Sequence, residues 1–215
     1  PGDDKRKVTL ELMMAGLNNM HYSPLSLDDT LSDRVYTMYM KRLDSKNFFT
    51  QEDMAKIKGY EYKIDDEIKA GTFEYFDLVN SVFNKRIAED SNYTKEVLSK
   101  PFDFKEDENV QLDPAKMDYA KDMAALKDQW RRYLKYQVMV RIVYMINTQE
   151  KAQEKKDTSV KIKTYAQMEK EAREKVLKAN ENSFDDYAKI TGTDRLSTYL
   201  DCIANAYDPH TEYFA

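Results

Sequence analysis

Apolar residues along this chain recur at three- and four-residue intervals in segment after segment, and runs of strict alternation are absent until the last few residues. From Lys7 onward Val8, Leu12, Ala15 and Met20 mark one stripe, widened by Leu10, Met13, Met14 and Leu17, and the spacing predicts a first helix ending near His21. Ser26-Leu27-Asp28-Asp29 is a capping signal, with a second helix after it to about Arg42. Thr50-x-x-Asp53 caps a third, with its stripe on Met54, Ile57, Ile64 and Ile68, and Gly71 ends it. Thr72 is expected to cap a fourth, whose Phe76, Val79, Phe83 and Ile87 face inward and which continues to Leu98. The adjacent rings of Phe48 and Phe49 require that at least one be buried.

Lys100-Pro101-Phe102-Asp103-Phe104 breaks the periodicity, and the polar stretch to Gln111 reads as a surface segment. Asp113 with Pro114 is an N-cap followed by proline at the first helical position, so the longest helix is placed at about Tyr119 to Lys155. Within it Val138–Ile146 is apolar nearly all round, which predicts burial on more than one side. Tyr165, Met168, Ala172, Val176 and Ala179 carry a further helix. Asn182 or Ser183 then caps a short one that Gly192 ends, and Thr193-Asp194 opens the last. Leu196, Tyr199, Leu200, Ile203 and Tyr207 hold that last stripe, and Pro209 forces Asp208 out of the helical region. The expected fold is therefore all-α: an irregular multi-helix bundle with one long central helix, ending in an extended tail. Residues 1–206 form the helical domain, and residues 207–215 form a junction.

Composition narrows the function. With 34 Lys+Arg against 39 Asp+Glu the net charge is −5, which disfavours non-specific nucleic-acid binding. No apolar run reaches the ~18 residues a membrane span needs. Cys202 is the only cysteine, and its place on an apolar helix face reads as a small buried residue. The acidic pairs Asp28-Asp29 and Asp185-Asp186 read as helix-start charge, and Asp65-Asp66 as a solvated face. Arg131, Arg132 and Lys135 read as snorkelling side chains beside the core rings Tyr133 and Tyr136. Asp208, His210 and Glu212 alternate along one face of an extended stretch, but a metal site there also needs a fourth ligand and a second shell. Hydrogen bonds from His210 and Thr211 that fix the turn account for the same residues. No catalytic, cofactor or metal residue is assigned.

Five stretches, in order, carry a resemblance. His21-Tyr22-Ser23-Pro24 with Leu27-Asp28-Asp29, and Leu43-Asp44 with Lys46, Phe48, Phe49 and Asp53, come first. Lys100-Pro101-Phe102-Asp103-Phe104, then Leu126 with Trp130, then Asp208-Pro209-His210-Thr211-Glu212-Tyr213 complete the set. Together they resemble the N-terminal region of the bacterial tail-specific (carboxy-terminal processing) serine proteases. The resemblance implies a helical domain preceding a PDZ domain that captures substrate C-termini, and a peptidase core with a Ser–Lys dyad. It also implies a periplasmic enzyme that trims or degrades proteins with apolar C-terminal tails, with an adaptor protein as a further partner. The dyad falls on no residue of this chain, and the junction motif Asp208, Pro209, His210, Thr211, Glu212 and Tyr213 would lead to the PDZ domain. The physical pattern alone equally suits a free-standing helical adaptor whose grooves bind partner helices.

Overall fold

The structure, a computed structural model, describes residues 2–20, 26–43, 45–207, 211 and 213. It is all-α: eight α-helices and no β-strand occur among the described residues. These are α1 (Gly2–Met20), α2 (Asp29–Arg42), α3 (Gln51–Ile57), α4 (Ile64–Ala70), α5 (Glu74–Leu98), α6 (Met123–Glu154), α7 (Tyr165–Lys189) and α8 (Gly192–Tyr207). The chain divides into two compact units, residues 1–85 with 190–215, and residues 86–189, and α5 contributes to both.

In the first unit the local signals do what their chemistry dictates. Asp28 accepts from the backbone N–H of Thr30 and Leu31 at the start of α2. Thr50 and Asp53 form a reciprocal capping box on α3. The helix expected from Thr50 to Gly71 is broken, however, by a 3-10 turn at Lys58–Tyr60. Gly59 and the neighbouring rings of Tyr60 and Tyr62 weaken the helix there. Ile57 and Ile64 lie two helical turns apart and are both fully buried, so the apolar period runs through the break and conceals it.

Gly71 ends α4 at φ 71°. Its N–H bonds to the Ile68 carbonyl and the Thr72 N–H to the Glu67 carbonyl, which together make a Schellman end. Thr72 lies too early to cap α5. That role passes to the Glu67 carboxylate, which accepts from Tyr75 N–H at 3.0 and 3.2 Å. On α1 the buried stripe is Leu10, Met14 and Leu17, while Val8 and Leu12 are 49% and 70% exposed. Both sets satisfy the helical interval, so spacing alone does not choose between them.

α2 packs on α4 and α8, and α1 also meets α8. The core is aromatic. Tyr39 of α2 and Phe76 of α5 hold the fully buried Tyr199 of α8 at centroid distances of 5.2 and 5.3 Å. Both Phe48 and Phe49 are buried against Phe83, at 5.3 and 6.3 Å. Asp65, expected on a solvated face, is buried instead. It accepts from Ser32 Oγ at 2.7 Å and Lys69 Nζ at 2.6 Å, joining α4 to α2.

The second unit is a helical hairpin with an irregular segment laid on it. α6 packs along α7 through Leu134, Val138 and Ile142 against Ala172 and Val176, with Leu98 of α5 in the same cluster. α6 starts at Met123, capped by Asp122 on Ala125 N–H at 2.9 Å. The earlier start expected from Asp113-Pro114 is a single 3-10 turn, Pro114–Lys116, which Asp113 caps. α7 runs unbroken to Lys189, so Asn182 and Ser183 cap nothing, and Asp185-Asp186 lies near a helix end rather than a start. Gly192 opens α8 instead of closing a helix, and the cap is Thr191 paired with Asp194.

The hairpin turn is another Schellman end, with Lys156 at φ 55° where glycine is usual. Gln149 fixes its far side, accepting from Lys163 N–H at 2.7 Å and donating to the Lys163 carbonyl at 3.3 Å. The Val138–Ile146 stretch is not buried all round. Met139, Val140, Val143 and Tyr144 are exposed, while Val138 and Ile142 on the other side pack on α7. Tyr133 is exposed as well, so it is not a core ring.

Candidate functional site

The strongest functional expectation falls where α8 ends. Asp208, Pro209, His210 and Glu212 lie outside the described residues; Thr211 and Tyr213 do not. The Tyr213 N–H donates to Asp201 Oδ1 at 3.0 Å, and the Thr211 carbonyl accepts from Asn205 Nδ2 at 3.0 Å. Asn205 Nδ2 also donates to Asp201 Oδ1 at 2.9 Å, so two residues one helical turn apart act as one clamp. Arg42, from the last turn of α2, reaches the other carboxylate oxygen, Oδ2, at 2.6 Å. Burial lowers the affinity of that guanidinium for its proton, but the bond to Asp201 and the attraction of its charge outweigh this and raise its pKa.

The last turn of α8 is held from two further sides. Tyr207 Oη donates to Asn18 Oδ1 of α1 at 3.2 Å, and Arg34 of α2 stands 3.5 Å from the Ala206 carbonyl. The clamp residues Arg42, Asp201 and Asn205 were not singled out in the sequence. The available signal was the Asp201/Asn205 pair at a four-residue interval beside an otherwise apolar stripe, with no clue to its distant arginine.

The chemistry of this region is that of a fastener. Cys202 is fully buried, and burial pushes its thiol up to about 12, with Asp201 adding to the rise and Arg42 opposing it. A thiol so placed stays protonated and is a poor nucleophile. Burial likewise raises the phenols of Tyr39, Tyr75 and Tyr199, which removes them from acid–base work near neutrality. Asn80 bridges this core, donating to Tyr39 Oη at 2.8 Å and to the Phe76 carbonyl at 2.7 Å.

Two carboxyls are lifted to about 7, chiefly by burial: Glu67, whose bonds cap α5, and Asp90, which accepts from Thr94 Oγ1 at 3.2 Å. In both, the bonds from these donors oppose the rise that burial causes. Among the described residues no group of three or more His, Cys, Asp or Glu is placed to hold a metal ion.

In the second unit a second polar centre joins the irregular segment to α6. Glu108 is bonded by both Arg131 and Lys135, and these two cations hold its carboxyl down at about 2. Arg131 and Lys135 are thus fastened to this carboxylate rather than extended to water. Beside it lies a shallow hollow lined by Phe104, Val110, Tyr136 and Met139, with Arg132 at its edge.

Among the described residues the chain is an all-helical domain whose last helix, α8, is bonded to α1 and α2. The comparisons name its class: residues 13–215 match the Tail specific protease N-terminal domain family, and the chain belongs to that family. It is also similar to the Tail-specific protease of Haemophilus influenzae, at 25% identity over 201 residues. That alignment covers 93% of this chain and 26% of the relative, so the chain spans about a quarter of the protein it matches. No helix among the described residues is long and apolar enough to cross a membrane.

Proposed function

We propose that this chain is the non-catalytic N-terminal helical domain of a periplasmic tail-specific serine endopeptidase. In the parent protein a PDZ domain captures the apolar C-terminus of a substrate protein, and a Ser–Lys dyad beyond this chain hydrolyses the peptide bonds. Residues 1–206 serve as the scaffold, and residues 207–215 lead to the PDZ domain. An adaptor protein is a further candidate partner.

The observation that carries this reading is the clamp. A loose linker would leave the backbone after Tyr207 to solvent, whereas here Thr211 and Tyr213 are bonded to α8 through Asn205 and Asp201. Asp201 is in turn bonded to α2 through Arg42. The bonds from the Tyr213 N–H and from Arg42 to Asp201 are charge-assisted, which supports a scaffold role for the helical domain. The scaffold role is tested by incubating the 215-residue chain with a peptide ending in apolar residues. The expected result is no hydrolysis above the buffer blank, and turnover by the isolated chain would overturn the assignment.

A further inference from the structure

The open side of α6 calls for an occupant, and we propose that it is a second copy of this chain, paired antiparallel across a two-fold axis. Tyr133, Tyr136, Val140, Val143 and Tyr144 recur at three- and four-residue intervals and lie opposite Leu134, Val138 and Ile142, which pack on α7. Tyr133, Val140, Val143 and Tyr144 are 46–71% exposed, Tyr136 is half-buried, and the rings of Tyr133 and Tyr136 stack at 6.5 Å. Scattered apolar residues on a surface are ordinary, but a contiguous stripe with a polar rim marks an interface.

The rim supplies the argument for self-pairing. Arg132 and Glu150 are 18 residues apart, and at ~3.6 residues per turn that is five turns, so both project from the same flank of the stripe. Their midpoint is Arg141, next to Val140, which is also the midpoint of Tyr136 and Tyr144. A two-fold axis at that level sets each Arg132 opposite the partner's Glu150 and packs the valines together between tyrosines. The Arg132 side chain is 42% exposed, and its terminal nitrogens bond Asp128 and the Asn109 carbonyl, so the partner's Glu150 would share a guanidinium that Asp128 already orients. Glu150 is exposed and enters no ion pair among the described residues.

Area sets the strength. The stripe offers on the order of 500 Å² of apolar side chain per copy, taking ~150–250 Å² for a whole aromatic side chain, against ~800 Å² per partner in a stable complex. The two Arg141 side chains, like-charged and exposed on the other flank near the axis, lower the affinity further. A weak dimer follows, with Kd on the order of 10–100 μM.

Sedimentation equilibrium of the 215-residue chain across about 5–500 μM tests this. The expected result is a monomer–dimer equilibrium that Val140→Glu weakens by more than ~10-fold, with helicity and melting temperature unchanged. Arg132→Glu and Glu150→Arg should each weaken it by about 3- to 10-fold, and the double exchange should restore it. A monomer throughout the range, a dimer indifferent to Val140→Glu, or a double exchange as weak as either single change would each overturn the proposal.

Discussion

Glu67 and Glu108 are both acceptors that hold an element in place, and the two units treat them in opposite ways. Glu67 sits in the aromatic unit, where burial lifts its carboxyl to about 7, with nearby Glu74 and Asp77 adding to the rise and the bonds from the Tyr75 backbone N–H opposing it. Glu108 lies in the hairpin unit between Arg131 and Lys135, and it falls to about 2. The first unit closes around large rings contributed by α2, α5 and α8, and its polar groups serve that closure. The second has a small aliphatic seam between α6 and α7 and relies on charge to hold its irregular segment. The contrast teaches that the same residue type titrates in opposite directions according to the construction of its unit.

The sharpest way to break the comparison is to remove a ring. Tyr199→Ala deletes the centre of the aromatic core and should cost about 3–5 kcal/mol. Urea unfolding followed by amide exchange should show the loss at α2, α5 and α8 while the α6–α7 amides keep their protection.

Next comes pH. Glu67 binds its proton more tightly folded than unfolded, where the ordinary value is 4.5, so its contribution is fully present below pH 4.5 and is lost as pH rises toward about 7. Glu67→Gln keeps an acceptor without the charge and should raise the melting temperature at pH 8 while leaving it unchanged at pH 4. A variant no more stable than the parent at pH 8 would remove Glu67 from the account. Glu108 runs the other way: its contribution is complete above pH 4.5 and disappears as pH falls toward about 2. Glu108→Gln should cost about 1–2 kcal/mol at pH 7, by leaving the buried Lys135 without its anion, and much less at pH 2.5.

The smallest effects sharpen the comparison at two helix ends of the same design. Gly71→Ala places a Cβ at positive φ and 2.8 Å from the Lys7 side chain, and should destabilise by about 1–2 kcal/mol. Lys156→Gly removes the strain of a left-handed lysine at the hairpin turn and should stabilise by about 0.5–1 kcal/mol. Thermal melts of both variants decide the signs.

The all-α class, the caps of α2 and α3, and the burial of Cys202 and of at least one ring of the Phe48-Phe49 pair could be read along the chain, because capping and period are local properties. What failed depended on the surroundings. The period through Ile57 and Ile64 is blind to a 3-10 turn between them. The cap of α5 comes from Glu67, a residue of the preceding helix, so no S/T-x-x-E pattern announces it. Val140, Val143 and Tyr144 look like core in sequence, since nothing there shows which side of α6 packs on α7. The clamp at the end of α8 was half legible: Pro209 signals the stop, but the arginine that secures Asp201 lies in α2, far along the chain.

The central claim is that the backbone leaving α8 is held by Asp201. Amide hydrogen exchange at Tyr213, compared between the unmodified chain and Asp201→Ala, tests it most directly. The account predicts exchange slowed at least ~10-fold in the unmodified chain and released to the unprotected rate in the variant, with the α8 amides unchanged. Equal and fast exchange at Tyr213 in both proteins would contradict it.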